Sequence, residues 1–98
     1  MEVRDKVVVV TGAANGIGRA LAKRFSEEGA GKIIIADLDE QGLKRVGTET
    51  GAESFKTDVA SEADIKHLIN SCERKYGRID LLCNNAGIGV NGGPEVPN

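Results

Sequence analysis

With 98 residues, 13 Lys+Arg against 15 Asp+Glu and a formal charge of −2, the chain is expected to form at most one domain and offers no basic patch to a nucleic acid. No apolar run approaches the roughly 20 residues that a membrane-spanning helix needs. Hydrophobic residues are 40% of the sequence, as in a globular protein whose core removes roughly 60–65% of the unfolded chain's surface.

The opening segment, Met1–Lys6, is charged and lacks the apolar core of a signal peptide, so a soluble, cytoplasmic protein is expected. Residues 6–11 are predicted to form a first strand. Its run Val7–Val10 suits a strand buried on both faces of a parallel sheet. The stretch Thr11-Gly12-Ala13-Ala14-Asn15-Gly16-Ile17-Gly18 follows, and the pattern then turns helical. A first helix is predicted over 16–28, with Ile17, Ala20, Leu21 and Phe25 on its apolar face and Gly29 and Gly31 ending it. Lys32–Ala36 reads as a second strand that ends at Asp37-Leu38-Asp39.

A weaker helix is expected from about 39 to 50. Leu43 and Val46 are its apolar residues, and Gly42 and Gly47 each cost about 1 kcal/mol relative to alanine. Ser54–Val59 is short and mixed, as an edge strand is. Ser61 caps a long helix with Asp64 at the capping-box position. Ile65, Leu68, Ile69, Cys72 and Tyr76 form its buried stripe, and Gly77 ends it. A fourth strand is predicted over Ile79–Cys83, followed by Asn84-Asn85-Ala86-Gly87.

Alternating strands and helices give an α/β fold of Rossmann type, βαβαβαβ. Right-handed crossovers lay it out as a parallel sheet in the order 3-2-1-4 with helices on both faces. The fourth strand would then lie at an edge, although Leu81-Leu82-Cys83 is apolar. A sheet truncated before its later strands is the simplest explanation.

Strand, glycine-rich turn and helix together make an anion site. Free N–H groups and the dipole at a helix N-terminus favour a phosphate, and glycines let a pyrophosphate approach the backbone. A glycine-rich turn without a ligand is the plain alternative. Arg19 could reach a phosphate or be an ordinary surface arginine. Asp37, 25 residues after Gly12, could bind ribose hydroxyls or simply end a strand at the surface. Cys72 and Cys83 are expected as buried, reduced thiols, with no Cys/His spacing for a metal, and His67 as a solvated residue.

The spacing Thr11-Gly12-x-x-x-Gly16-Ile17-Gly18 after a valine strand, together with Asn84-Asn85-Ala86-Gly87, resembles the short-chain dehydrogenase/reductase family over residues 1 to about 90. The resemblance implies a dinucleotide-binding unit over 1–90, its adenosine-binding half, with 91–98 a loop or disordered tail. It implies cofactor contacts at Gly12, Asn15, Gly16, Ile17, Gly18, Asp37, Leu38, Asp58, Val59, Asn84, Asn85, Ala86 and Gly87. Asp58 would accept from the adenine amine, or merely be a capping aspartate before the Ser61 helix. Family members that use NADP often carry a basic residue at the position of Asn15 or Leu38. Both are uncharged here, so the implied cofactor is NAD rather than NADP.

The family's hydride transfer depends on a serine and a Tyr-x-x-x-Lys pair. The only tyrosine here is Tyr76, and Asp80 stands four residues on. No catalytic residue is therefore expected within these 98 residues, and the chain alone is expected to be inactive. The implied parent is an NAD-dependent enzyme acting on a secondary alcohol or ketone, assembled as a homodimer or homotetramer. A free-standing nucleotide-binding or regulatory module, or a truncated fragment without a catalytic role, are the alternatives.

Overall fold

The computed structural model describes residues 3–85. In chain order the elements are β1 (Val7–Thr11), α1 (Gly16–Glu27), β2 (Lys32–Asp37), α2 (Glu40–Thr50), β3 (Glu53–Lys56), α3 (Glu62–Tyr76) and β4 (Leu81–Asn84). All strand pairs are parallel and the sheet order is β3-β2-β1-β4, as the sequence predicts. The residues from 91 onward, read above as a tail, lie outside the described residues.

The valine run explains the layering. Side chains alternate across a strand, so Val8 and Val10 enter one core with Ala22, Ile33, Ile35, Leu43 and Val46, beneath α1 and α2. Val7 and Val9 enter the other with Ile34, Ala36, Leu68 and Cys72, beneath α3. Both faces of β1 are thus covered, and all five of its residues are buried. Each fully buried valine or isoleucine contributes about 1.5–3 kcal/mol. β3, at the edge, is only half covered and alternates between half-buried and exposed.

Several expectations are corrected. Ile17 is 70% exposed and Ala20 is exposed, so neither lies on the buried face of α1. That face is set by Gly18 and Ala22, with Leu21 and Phe25 packed at its border. Gly18 sits so close to Gly12 that the helix turns this side inward and Ile17, one residue back, outward. β3 stops at Lys56; Thr57 N–H still donates to Asp37 O at 2.9 Å, and the chain then turns at Val59 and Ala60. β4 starts at Leu81 because Asp80 is engaged at the start of β1: its Oδ2 accepts from the Val7 N–H at 2.7 Å. Of the two free thiols only Cys72 is buried; Cys83 is half-buried, on the open edge of the sheet.

The caps of the later helices follow the sequence more closely. Ser61 Oγ accepts from the Asp64 N–H at 3.2 Å. Asp64 does not complete a capping box, because its carboxylate accepts instead from the Asp58 N–H at 2.9 Å. α2 begins with Asp39 as its N-cap.

Candidate functional site

The chain runs from β1 outward to β2 and β3, then returns to place β4 on the other side of β1. The carboxyl ends of the strands at such a reversal are where open α/β sheets form a crevice. Thr11, Asp37 and Asn84 end their strands at this edge, and the loop Gly12–Asn15 rises from it. The loop is fastened to β2: Gly12 and Ala13 N–H donate to Ala36 O at 2.8 and 3.4 Å, and Ala14 N–H donates to Asp37 Oδ2 at 3.2 Å. On the other side Thr11 Oγ1 donates to Asn84 Oδ1 at 2.7 Å.

The start of α1 is open. Asn15, its N-cap, is extended, with no side-chain cap, and no acidic residue lies in the first turn. The Gly16, Ile17 and Gly18 N–H groups belong to the turn that has no intrahelical acceptor. Gly16 has φ +60, a left-handed conformation that side chains disfavour, and the space around its missing Cβ is empty. A Cβ on Gly18 would lie 2.1 Å from Gly12 O. Only a glycine there lets the helix start directly above the turn. Ile17 in the first turn and Leu38 after Asp37 are exposed apolar side chains, 70% and 52% accessible.

Asp37 is half-buried at the end of β2, and besides Ala14 it accepts from the Asp39 N–H, Oδ1 at 3.1 Å. Beyond β3, Asp58 lies in a turn whose Ala60 N–H donates to Asp58 Oδ1 at 3.0 Å, and Val59 is half-buried beside it. Asp58 is not the cap of α3, a place that Ser61 takes; its carboxylate closes the turn before it. Asn85 follows β4, and its Nδ2 is buried with no hydrogen-bond partner among the described residues. Ala86 and Gly87 lie outside the described residues.

Arg19 points away from the loop opening. Its guanidinium clasps Glu49, Nε to Oε1 at 3.1 Å and Nη2 to Oε2, joining α1 to α2. This pair raises the Arg19 pKa and lowers that of Glu49. Tyr76 lies at the opposite edge of the sheet, its hydroxyl donating to Glu53 at the start of β3.

Two residues escaped the sequence analysis. Asp39 was read only as the start of a helix, yet its Oδ1 accepts from the Gly42 N–H at 3.0 Å and its Oδ2 from Asn15 Nδ2 at 3.4 Å. The Gly42 amide holds the Asp39 carboxyl below the usual carboxylate range. Gly42 was counted only as a weak helix former. It is buried, and a Cβ there would lie 2.6 Å from the Ala14 Cβ. The signal for both was the Asp-x-x-Gly spacing, an N-cap aspartate three residues before a glycine.

The model of the short chain dehydrogenase family matches residues 6–96. The chain belongs to this family. The short-chain dehydrogenase relatives include the short chain aldehyde dehydrogenase 1 of Euphorbia lathyris, 39% identical over 98 residues, covering 96% of this chain and 34% of that protein. The meso-2,3-butanediol dehydrogenase of Serratia marcescens is 40% identical over 95 residues, covering 94% and 38%. A short-chain dehydrogenase/reductase of Burkholderia phymatum, solved in complex with NAD, superposes with a TM-score of 0.76 at 36% identity, covering 84% of this chain and 31% of that one. The chain spans about a third of the length of the curated relatives it matches. No helix among the described residues is long and apolar enough to cross a membrane.

Proposed function

We propose that this short-chain dehydrogenase chain holds the adenosine half of NAD(H), in an oxidoreductase acting on a secondary alcohol or ketone. The uncapped start of α1 fits a pyrophosphate, received by the N–H groups of Gly16, Ile17 and Gly18 above Gly12. Asp37 accepts ribose hydroxyls. Its two oxygens each take one backbone N–H, and a carboxylate has about four acceptor sites, so capacity remains. Asp58 and Val59 meet the adenine, while Asn84, Asn85, Ala86 and Gly87 line the path of the ribose. When bound, the nicotinamide supplies the hydride acceptor or donor.

The observation that carries NAD over NADP is Asp37. Its carboxylate is anchored on the glycine-rich turn through Ala14, with uncharged Asn15 and Leu38 on either side, so a 2′-phosphate meets a fixed negative charge. The Burkholderia relative, solved with NAD, supports the same cofactor.

We assign no catalytic role within the 98 residues. Tyr76 faces Glu53 at the far edge, and Ser26 donates to Thr50 O on α2. The chain alone is therefore expected to turn nothing over. The parent enzyme is proposed to be cytoplasmic and a homodimer or homotetramer.

Calorimetric titration with NADH and NADPH tests the assignment. NADH is expected to bind at least about tenfold more tightly, equal to about 1.4 kcal/mol. Asp37→Ala is expected to abolish the preference. A protein that prefers NADPH would overturn the NAD assignment.

A further inference from the structure

β4 joins the sheet with little in its own side chains to fix its place. It pairs with β1 alone, through the four residues Leu81–Asn84, which alternate between half-buried and exposed. A strand with one apolar and one polar face finds its register because a slip of one residue turns the apolar set outward. Leu81, Leu82 and Cys83 are apolar on both faces, so that signal is absent. The register is nevertheless defined: Val8 lies against Leu81, Val10 against Cys83 and Thr11 against Asn84. In this register Thr11 Oγ1 reaches Asn84 Oδ1 at 2.7 Å, on the edge proposed for the nucleotide.

Polar groups just before β4 supply what the strand lacks. Asp80 and Val7 hold each other twice: the Asp80 N–H donates to Val7 O at 2.9 Å, and the Val7 N–H donates to Asp80 Oδ2 at 2.7 Å. Arg78 Nε donates to the same Oδ2 at 2.8 Å, and Arg78 Nη2 donates to Asp5 O at 2.7 Å. The guanidinium first, and then the Val7 amide, hold the Asp80 carboxyl below the usual carboxylate range. Asp5 has φ +65, a left-handed turn that aspartate tolerates better than most residues. Gly31 packs on it so closely that a Cβ there would lie 2.7 Å from Asp5 Cα. The Asp5 carbonyl is thus a fixed target.

We propose that Arg78 is a positioning residue, whose fork across Asp80 and the Asp5 carbonyl sets the register of β4 on β1 and so where Asn84 and Asn85 stand at the nucleotide edge. The role of that edge rests on the dinucleotide reading; the register does not. An isolated exposed ion pair contributes little. Here one guanidinium grips the entry of β4 and the segment before β1 at once, through a planar fork that a lysine cannot reproduce.

Nuclear Overhauser contacts between β1 and β4, amide hydrogen exchange and titration with ADP-ribose test this on the whole chain, as the wild type, Arg78→Ala and Arg78→Lys. Both variants are expected to show a second set of β1–β4 contacts, displaced from the Val8–Leu81 and Val10–Cys83 pairing. Amides of β4 should exchange about tenfold faster while those of β2 keep their rates, and ADP-ribose should bind roughly fivefold more weakly. A single set of contacts in both variants, or faster exchange in every strand alike, makes Arg78 a surface ion pair or a general stabiliser, and the inference falls. Full recovery by lysine would mean that charge alone suffices, which overturns the fork. A β4 that responds as expected in a chain that binds no ADP-ribose overturns the dinucleotide reading and leaves the register assignment standing.

Discussion

The N-termini of α1 and α3 start from the same physical problem, backbone N–H groups with no intrahelical acceptor. At α3 the chain answers it locally. Ser61 Oγ takes the Asp64 N–H, and Glu62 and Asp64 put negative charge in the first turn, where it complements the dipole. At α1 the N-cap residue, Asn15, turns its side chain sideways to Asp39, and the first turn is Gly16, Ile17, Gly18 without an acid. One end is complete in itself, and the other leaves its first N–H groups open, where the proposed pyrophosphate would sit.

The largest expected effect comes from filling the open end. Gly18→Ala puts a methyl 2.1 Å from Gly12 O, which is backbone and cannot swing aside. Either the turn or the helix start must move, at a cost of about 2–4 kcal/mol, judged from overpacked cores and strained backbone. Dinucleotide binding should be lost and the melting temperature should drop by roughly 8–32 °C at 4–8 °C per kcal/mol. Thermal melting and calorimetry on the same sample check both. A variant that melts like the wild type would mean that the contact relaxes freely.

Gly42 sharpens the comparison at α2. Helix propensity alone says that Gly42→Ala stabilises the protein by up to about 1 kcal/mol. The structure says the reverse, because the new methyl would meet the Ala14 Cβ at 2.6 Å and Asp39 Oδ2 at 2.7 Å. The expected outcome is a net loss of about 1 kcal/mol, together with weaker binding as Ala14 shifts under the nucleotide. Chemical denaturation measures the first, and a gain in stability would restore the propensity argument.

Much of this could be read without coordinates, and what could not has a physical reason. Val7–Val10 and Ile33–Ile35 are continuous apolar runs that only a doubly covered parallel strand explains, so the sheet and its order followed. Caps such as Ser61 are written locally and were legible. The burial of Ile17 was misjudged because periodicity locates an apolar face but not a close backbone contact, and Gly18 against Gly12 decides the rotation of α1. Asp64 and Asp39 have the composition of capping residues, but their partners, Asp58 and Asn15, are set by where turns meet in space. Contacts of that kind join segments up to two dozen residues apart and leave no spacing signal.

The smallest effects give the cleanest contrast between the two helix starts. Ser61→Ala removes a working cap, which costs about 1 kcal/mol and lowers the melting temperature by roughly 4–8 °C. No bond links it to the glycine-rich turn, so any change in nucleotide affinity should be small and come only through the Asp58 turn, whose N–H the Asp64 carboxylate holds. Asn15→Ala removes no cap, only an exposed 3.4 Å contact with Asp39, and should cost less than about 0.5 kcal/mol. Its effect should instead appear in binding, as a weaker affinity for the dinucleotide. Melting curves and paired titrations of the two variants separate these outcomes. If Asn15→Ala were the more destabilising of the two, the start of α1 would be a capped end after all, and the contrast between a closed and an open helix terminus would fail.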